Sequence, residues 1–153
     1  MMIKQADIYT DGSCHPQTGT GTWASYIIYD NNIKKLYSLE NNTSHNRMEI
    51  EAVIKSLEYC MENSIKSIRI FTDSQYVINI PKRFPKLEGN NFLTKSGKEI
   101  RNKDLLIRLN NLIKKTNPEL IKVKAHQKKG DKINYNREVD KLSRKILRDA
   151  LRG

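Results

Sequence analysis

An α/β fold built on one layered sheet is the class this sequence predicts, and three observations lead to it. Near the start, three β-rich runs follow one another with only turn residues between them. Further on, apolar residues recur at offsets of three and four in several stretches, alternating with short apolar strands. The length, 153 residues, fits one domain with a real core. Strands joined by short turns pair antiparallel, whereas strands separated by helices join through crossovers in parallel. The order three strands, helix, strand, helices, strand, helix therefore predicts antiparallel strands first and parallel additions later.

The elements follow in turn. Residues 3–11 read as a strand through Ile8 and Tyr9 to Asp11. His15 to Gly21, punctuated by Pro16, Gly19 and Gly21, is a turn. Thr22 to Tyr29 and Ile33 to Glu40 are β-rich and flank a hairpin turn at Asp30-Asn31-Asn32. Residues 45–62 carry Ile50, Val53, Ile54, Leu57, Cys60 and Met61 at helical spacing, with Thr43 or Ser44 able to cap the start. Ile65 to Thr72 is a short strand, and Ser74 to Ile80 a short helix that Pro81 stops. Residues 81–101 read as irregular. Helical spacing returns over 102–115, Pro118 precedes a strand at Glu119–Lys124, and 136–151 is helical through Val139, Leu142, Ile146 and Ala150.

Charge narrows the function. The chain has 28 Lys and Arg against 17 Asp and Glu, a net charge of +11, which points to a polyanionic partner, nucleic acid ahead of a membrane surface or an acidic protein. Charge that only aids solubility is the plainer alternative. The two cysteines, Cys14 and Cys60, follow no disulfide or metal spacing, consistent with a reduced cytoplasmic protein. Neither a signal peptide nor a long apolar span is visible, so a soluble protein without a membrane partner is expected.

Against this basic background, four acids have unusual settings: Asp11 and Asp73 close apolar strands, Glu49 lies one turn into a helix, and Asp140 lies in the first turn of the last helix. Open α/β sheets place ligands at the carboxyl ends of their strands. Carboxylates gathered there repel one another unless a cation neutralises them, and hard oxygen ligands suit Mg²⁺ or Mn²⁺. Each acid also has an ordinary reading as a surface or capping group, and convergence depends on strand order.

Five segments carry a resemblance. Tyr9-Thr10-Asp11-Gly12-Ser13-Cys14, Asn46-Arg47-Met48-Glu49, Thr72-Asp73-Ser74-Gln75-Tyr76-Val77, Val123-Lys124-Ala125-His126 and Asn136-Arg137-Glu138-Val139-Asp140 together resemble type 1 ribonuclease H, in that family's order and at compatible spacings. The resemblance spans residue 3 to about 150. It implies a ribonuclease H-like fold, a five-stranded mixed sheet flanked by helices, as a single catalytic domain without a separate hybrid-binding domain. It also implies cleavage of the RNA strand of an RNA–DNA hybrid with two divalent ions, leaving 5′-phosphate and 3′-hydroxyl ends. Asp11 would bridge both ions, Glu49 and Asp73 would hold one, and Asp140 the other.

The same resemblance assigns the groups around the acids. His126 would assist proton transfer or product release, although a solvated loop histidine fits the same local sequence. Asn46 and Gln75 would touch the minor groove, and Ser44, Arg101 and Asn102 match a pocket for a DNA phosphate. Ordinary helix-start polarity would also account for Gln75 and Asn102. Lys82, Arg83 and Lys86 lead a basic stretch, continuing through Lys95, Lys98 and Arg101, where some relatives carry a substrate-gripping handle. Such contacts give affinity with little sequence preference. Ala125 and Val139 depart from the commoner glycine and alanine, and the span from His126 to Asp140 is longer than in typical free-standing bacterial relatives. The handle region lacks tryptophan.

Two other classes compete. A binding module without catalysis would need a broken acid set, and all four acids are present. A DNA-processing or integrase-like nuclease would share the acidic site, but Asn46 and Gln75 argue for hybrid recognition. No obligate protein partner is evident, and a monomer is expected.

Overall fold

Three long strands open the computed structural model, which describes residues 4–124 and 134–152. They are β1 (Gln5–His15), β2 (Thr20–Tyr29) and β3 (Asn32–Glu40). Asp30 and Asn31 turn β2 into β3 with φ of 52° and 63°, the left-handed pair that a tight hairpin requires and that Asp and Asn tolerate. The β1–β2 turn closes through Gly19, whose N–H donates to the His15 carbonyl at 2.9 Å and whose φ is +72°.

Helix α1 (His45–Glu62) then crosses the sheet. Of the two capping candidates, Ser44 acts, its side chain accepting the Arg47 N–H at 3.2 Å. Ile50, Val53, Ile54, Leu57 and Cys60 face the core as their spacing predicts, whereas Met61 turns outward and is 46% exposed. Strand β4 (Ser67–Thr72) pairs parallel with β1, and β5 (Glu119–Lys122) parallel with β4, giving the order β3-β2-β1-β4-β5. The mixed five-stranded sheet expected by resemblance is therefore present, with β1 at its centre.

The other helices are α2 (Gln75–Gly89), α3 (Lys103–Thr116) and α4 (Tyr135–Arg152). Helix α2 corrects the expectation of a short helix followed by irregular chain. It runs through both Pro81 and Pro85, so the basic residues Lys82, Arg83 and Lys86 lie on an exposed helical face. The reason is tertiary. Val77, Ile80 and Phe84 form a buried stripe at helical spacing, and Leu87 packs beside the core. Burying such a side chain stabilises by about 1.5–3 kcal/mol, enough in sum to offset the roughly 3 kcal/mol of a helix-interior proline.

Two layers of side chains sandwich the sheet. On one face α1 and α3 cover Ala6, Ile8, Ile27, Ile68 and Ile70 with Val53, Ile54, Leu57, Leu105 and Leu109. On the other face α4 covers β1 and β2, burying Val139 among Ala24, Tyr26, Tyr9 and Tyr135. Tyr9 also stacks on Phe71, with ring centroids 4.6 Å apart. Among the described residues no helix is long and apolar enough to cross a membrane.

Since Pro81 withholds an N–H from the turn before it, Pro81→Ala restores that bond. We expect the variant to melt higher, by about 1 kcal/mol at the transition midpoint, in a thermal denaturation series with Pro85→Ala alongside. Equal or lower melting would show that both prolines stabilise α2 through the unfolded chain.

Candidate active site

Strand register brings the first two acids together. Parallel pairing of β1 with β4 ends at Tyr9↔Phe71, and two residues further along each strand stand Asp11 and Asp73. Asp73 follows the end of β4 as expected. Asp11 does not end its strand: antiparallel pairing with β2 continues through Asp11↔Ala24 to His15↔Thr20. On the β4 side, however, Asp11 lies beyond the last ladder pair, so the sheet is open beside it.

Glu49 reaches the same spot from α1 because Gly12 lets the helix approach. A Cβ on Gly12 would lie 2.5 Å from the Glu49 backbone nitrogen and 2.6 Å from the Met48 carbonyl carbon. Only glycine admits that backbone-to-backbone contact, and the Gly12 amide beside the Glu49 carboxylate works against the rise in its pKa. Asp11, Glu49 and Asp73 each offer a carboxylate oxygen, and all three lie within 4.8 Å of one another.

Asp140 sits beside this trio without joining it. It falls in the second turn of α4 rather than the first, because the helix begins at Tyr135, where Asn134 Oδ1 accepts the Arg137 N–H at 3.1 Å. The helix dipole favours a carboxylate in the first turn, so Asp140 gains little from it. Its Oδ1 accepts from Arg144 Nε at 3.1 Å, and its charge helps to hold the Asp11 carboxyl above the ordinary range.

The electrostatics are those of anions held out of water. Asp11 is 6% exposed and Glu49 1%. Burial pushes Asp11 up to about 7, and the charges of Asp140 and Asp73 add to that; a hydrogen bond from Ser143 works in the opposite direction. Burial, with Asp11 and Asp73 nearby, raises Glu49 well above the ordinary carboxylate range. Glu49 Oε1 lies 3.4 Å from His45 Nε2, while the buried Oε2 lacks any hydrogen-bond partner among the described residues. An orphaned anionic oxygen facing two further carboxylates fits a hard divalent cation, which would satisfy the acceptor and cancel the repulsion.

Around this centre the expected substrate-facing residues fall into two groups. Ser44 and Asn46 are exposed at the start of α1, and Gln75 is exposed at the start of α2, its Nε2 donating to Asn79 Oδ1 at 2.9 Å. Asn102 bridges helices: its Oδ1 accepts from Arg47 at 3.4 Å and its Nδ2 donates to the Tyr76 hydroxyl at 3.2 Å. Arg47 also holds Asp104 through bonds of 3.0 and 2.8 Å, keeping that carboxyl down at about 2. Arg101, next to Asn102, is exposed, and the Arg83 guanidinium lies over the Tyr76 ring at 6.0 Å. His126 lies outside the described residues.

Known proteins bear directly on this geometry. A sequence model of the RNase H family matches residues 4–148. The chain belongs to the ribonuclease H family. It is 37% identical over 151 residues to a ribonuclease H of Wolbachia sp. subsp. Drosophila simulans, covering 98% of this chain and all of that one. A ribonuclease H of Caldicellulosiruptor saccharolyticus is 32% identical over 149 residues, covering 96% and 99%. Among solved structures, LC9-RNase H1, described as a type 1 RNase H with the type 2 active-site motif, superposes with a TM-score of 0.78 at 19% identity, over 96% of this chain and 74% of that one. A foamy viral protease-reverse transcriptase in complex with dsDNA gives 0.70 at 21% identity, over 93% of each chain. These two show a shared ribonuclease H fold, and the chain is a ribonuclease by family.

Several groups of this ribonuclease were not singled out in the sequence. Ser143 donates to Asp11 Oδ2 at 2.6 Å, and Lys122 Nζ to the Asp73 carbonyl at 2.6 Å. Ser143 and Arg144 stand three and four residues after Asp140, the helical offsets of neighbours, so the spacing held a signal for both. Which of them faces Asp11 depends on how α4 crosses β1.

A raised carboxylate makes the folded protein hold its proton more tightly than the unfolded chain does. Stabilisation from Asp11 is therefore complete below about pH 4 and lost as the pH rises through about 7. In a chelator, the melting temperature is expected to fall between about pH 5 and pH 8. Asp11→Asn should flatten that fall and melt higher than the parent at the alkaline end. Parallel melting curves for the two proteins would contradict the assignment.

Proposed function

We propose that this ribonuclease hydrolyses the RNA strand of RNA–DNA hybrids by a two-metal-ion mechanism, leaving 5′-phosphate and 3′-hydroxyl ends. The observation that carries the reading is the trio Asp11, Glu49 and Asp73, the first two buried, with Asp140 next to it and Glu49 Oε2 unsatisfied among the described residues. Asp11 stands between the others, which suits a ligand shared by two ions. Glu49 and Asp73 would hold one ion and Asp140 the other. Bound Mg²⁺ or Mn²⁺ supplies an activated water and neutralises charge at phosphorus and on the leaving oxygen.

The chain's own residues do the rest. Four carboxylates would fix where the ions, and through them the scissile phosphate, sit. His126 moves a proton to or from the departing group. Asn46 and Gln75, exposed at two helix starts, read 2′-hydroxyls and base edges in the wide minor groove, which identifies the RNA strand by shape rather than sequence. Ser44, Arg101 and Asn102 take a phosphate of the DNA strand; Asn102 is suited to this because Arg47 and Tyr76 hold its amide from both sides. Lys82, Arg83 and Lys86 form one exposed basic face of α2, which supports backbone contacts along the duplex.

A cleavage assay with labelled hybrid, RNA duplex and DNA duplex, with and without Mg²⁺, tests the reading. Only hybrid should be cut, and only with the ion. Asp73→Asn is expected to lower turnover about a hundredfold or more, while hybrid affinity changes by less than about threefold. Near-parental turnover of that variant would remove the metal-site role. Replacing Lys82, Arg83 and Lys86 by Ala should reduce the slope of log affinity against log salt by about 2 to 3. An unchanged slope would move the basic contacts elsewhere.

A further inference from the structure

Three elements meet at one buried serine on α4. The Ser143 side chain is fully buried, and its Oγ lies 2.6 Å from Asp11 Oδ2 and 3.2 Å from the Asp140 carbonyl oxygen. A hydroxyl has one proton to give, and the shorter contact to an anionic oxygen takes it. The Ser143 carbonyl in turn accepts the buried Thr22 Oγ1–H at 2.8 Å. Ser143 thus joins β1, through Asp11, to β2, through Thr22, and to the helix that carries Asp140.

Nothing in the helix itself calls for a hydroxyl here. Alanine is the better helix former at an interior position, and a mid-helix serine ordinarily bonds back to its own preceding turn. Here the proton leaves the helix and goes to a carboxylate. The terminal torsion of an aspartate is broad, so an unheld Asp11 carboxylate would rotate among several orientations. A short bond to one oxygen removes that freedom.

We propose that Ser143 is a positioning residue for the metal site: its hydroxyl fixes the rotation of the Asp11 carboxylate, and its carbonyl locks α4, with Asp140, against the central strands. The proposal rests on the reading of the carboxylates as ion ligands. It assigns the hydroxyl a part in ion binding and the carbonyl a part in packing, so two variants separate them. Ser143→Ala removes the hydroxyl; Thr22→Val removes only the tie to the carbonyl and leaves the bond to Asp11 intact.

Mn²⁺ binding to the full chain without hybrid, followed by calorimetry and by the electron-spin signal of free Mn²⁺, is the direct readout. Thermal melting in chelator and kcat and KM on hybrid run beside it. Ser143→Ala should bind Mn²⁺ about tenfold more weakly and lose kcat, with KM for hybrid unchanged. Ser143→Thr, which keeps the hydroxyl, should bind within about twofold of the parent. Thr22→Val should melt lower yet bind Mn²⁺ like the parent. If Ser143→Ala and Thr22→Val both melt lower and both bind Mn²⁺ normally, Ser143 is a packing residue only and the proposal fails. If the parent itself binds no Mn²⁺, the reading of the carboxylates falls and the proposal with it.

Discussion

Carboxylates forced together away from water are the constraint on which the rest of this structure depends. Asp11 and Glu49 are almost wholly buried, Asp73 lies against them, and Asp140 is next door. Isolated, such a group would cost several kcal/mol to keep charged. The fold holds them there with tight backbone packing at Gly12, a hydroxyl from Ser143 and two layers of apolar side chains that fix α1 and α4 to the sheet. Stability is given up locally, which is how many functional sites depart from the best-packed arrangement.

The architecture explains how four chain segments reach one point. Parallel register places Asp11 level with Asp73, each two residues beyond the last β1–β4 pair. The strand alternation that turns Tyr9 and Phe71 toward α4 turns these two acids the same way. Glu49 arrives from the opposite face, over the part of the sheet that β4 no longer covers. The polar helix starts at Ser44–Asn46 and Gln75 stand next to Glu49 and Asp73 in the chain, and the basic surface of α2 runs on from Gln75.

Much of this was legible from residues alone because the signals were local. The helix at 45–62 follows from its apolar spacing and a serine cap, and the β2–β3 turn from Asp30-Asn31, whose side chains tolerate the left-handed backbone. The acids were legible through the segments in which they sit. What stayed hidden depends on contacts between distant elements. Pro81 reads as a stop until the buried stripe Val77, Ile80 and Phe84 is seen to hold the helix together. Asp11 reads as a strand end because the apolar run stops there, yet pairing with β2 carries the strand on to His15. Asp140 reads as a helix start because Asn134, which caps the helix earlier, gives only a weak local cue. The contact of Ser143 with Asp11 spans nearly the whole chain, so no window of sequence could reveal it.

The placement of Asp140 and Ser143 on α4 also has a consequence for biosynthesis. While a ribosome is still extending the polypeptide, Asp11, Glu49 and Asp73 are made before the segment Tyr135–Arg152, which carries Asp140 and Ser143. A half-made product therefore carries three of the four carboxylates but not the helix whose Ser143 bonds to Asp11. All four come together only when α4 docks on the face of β1 and β2.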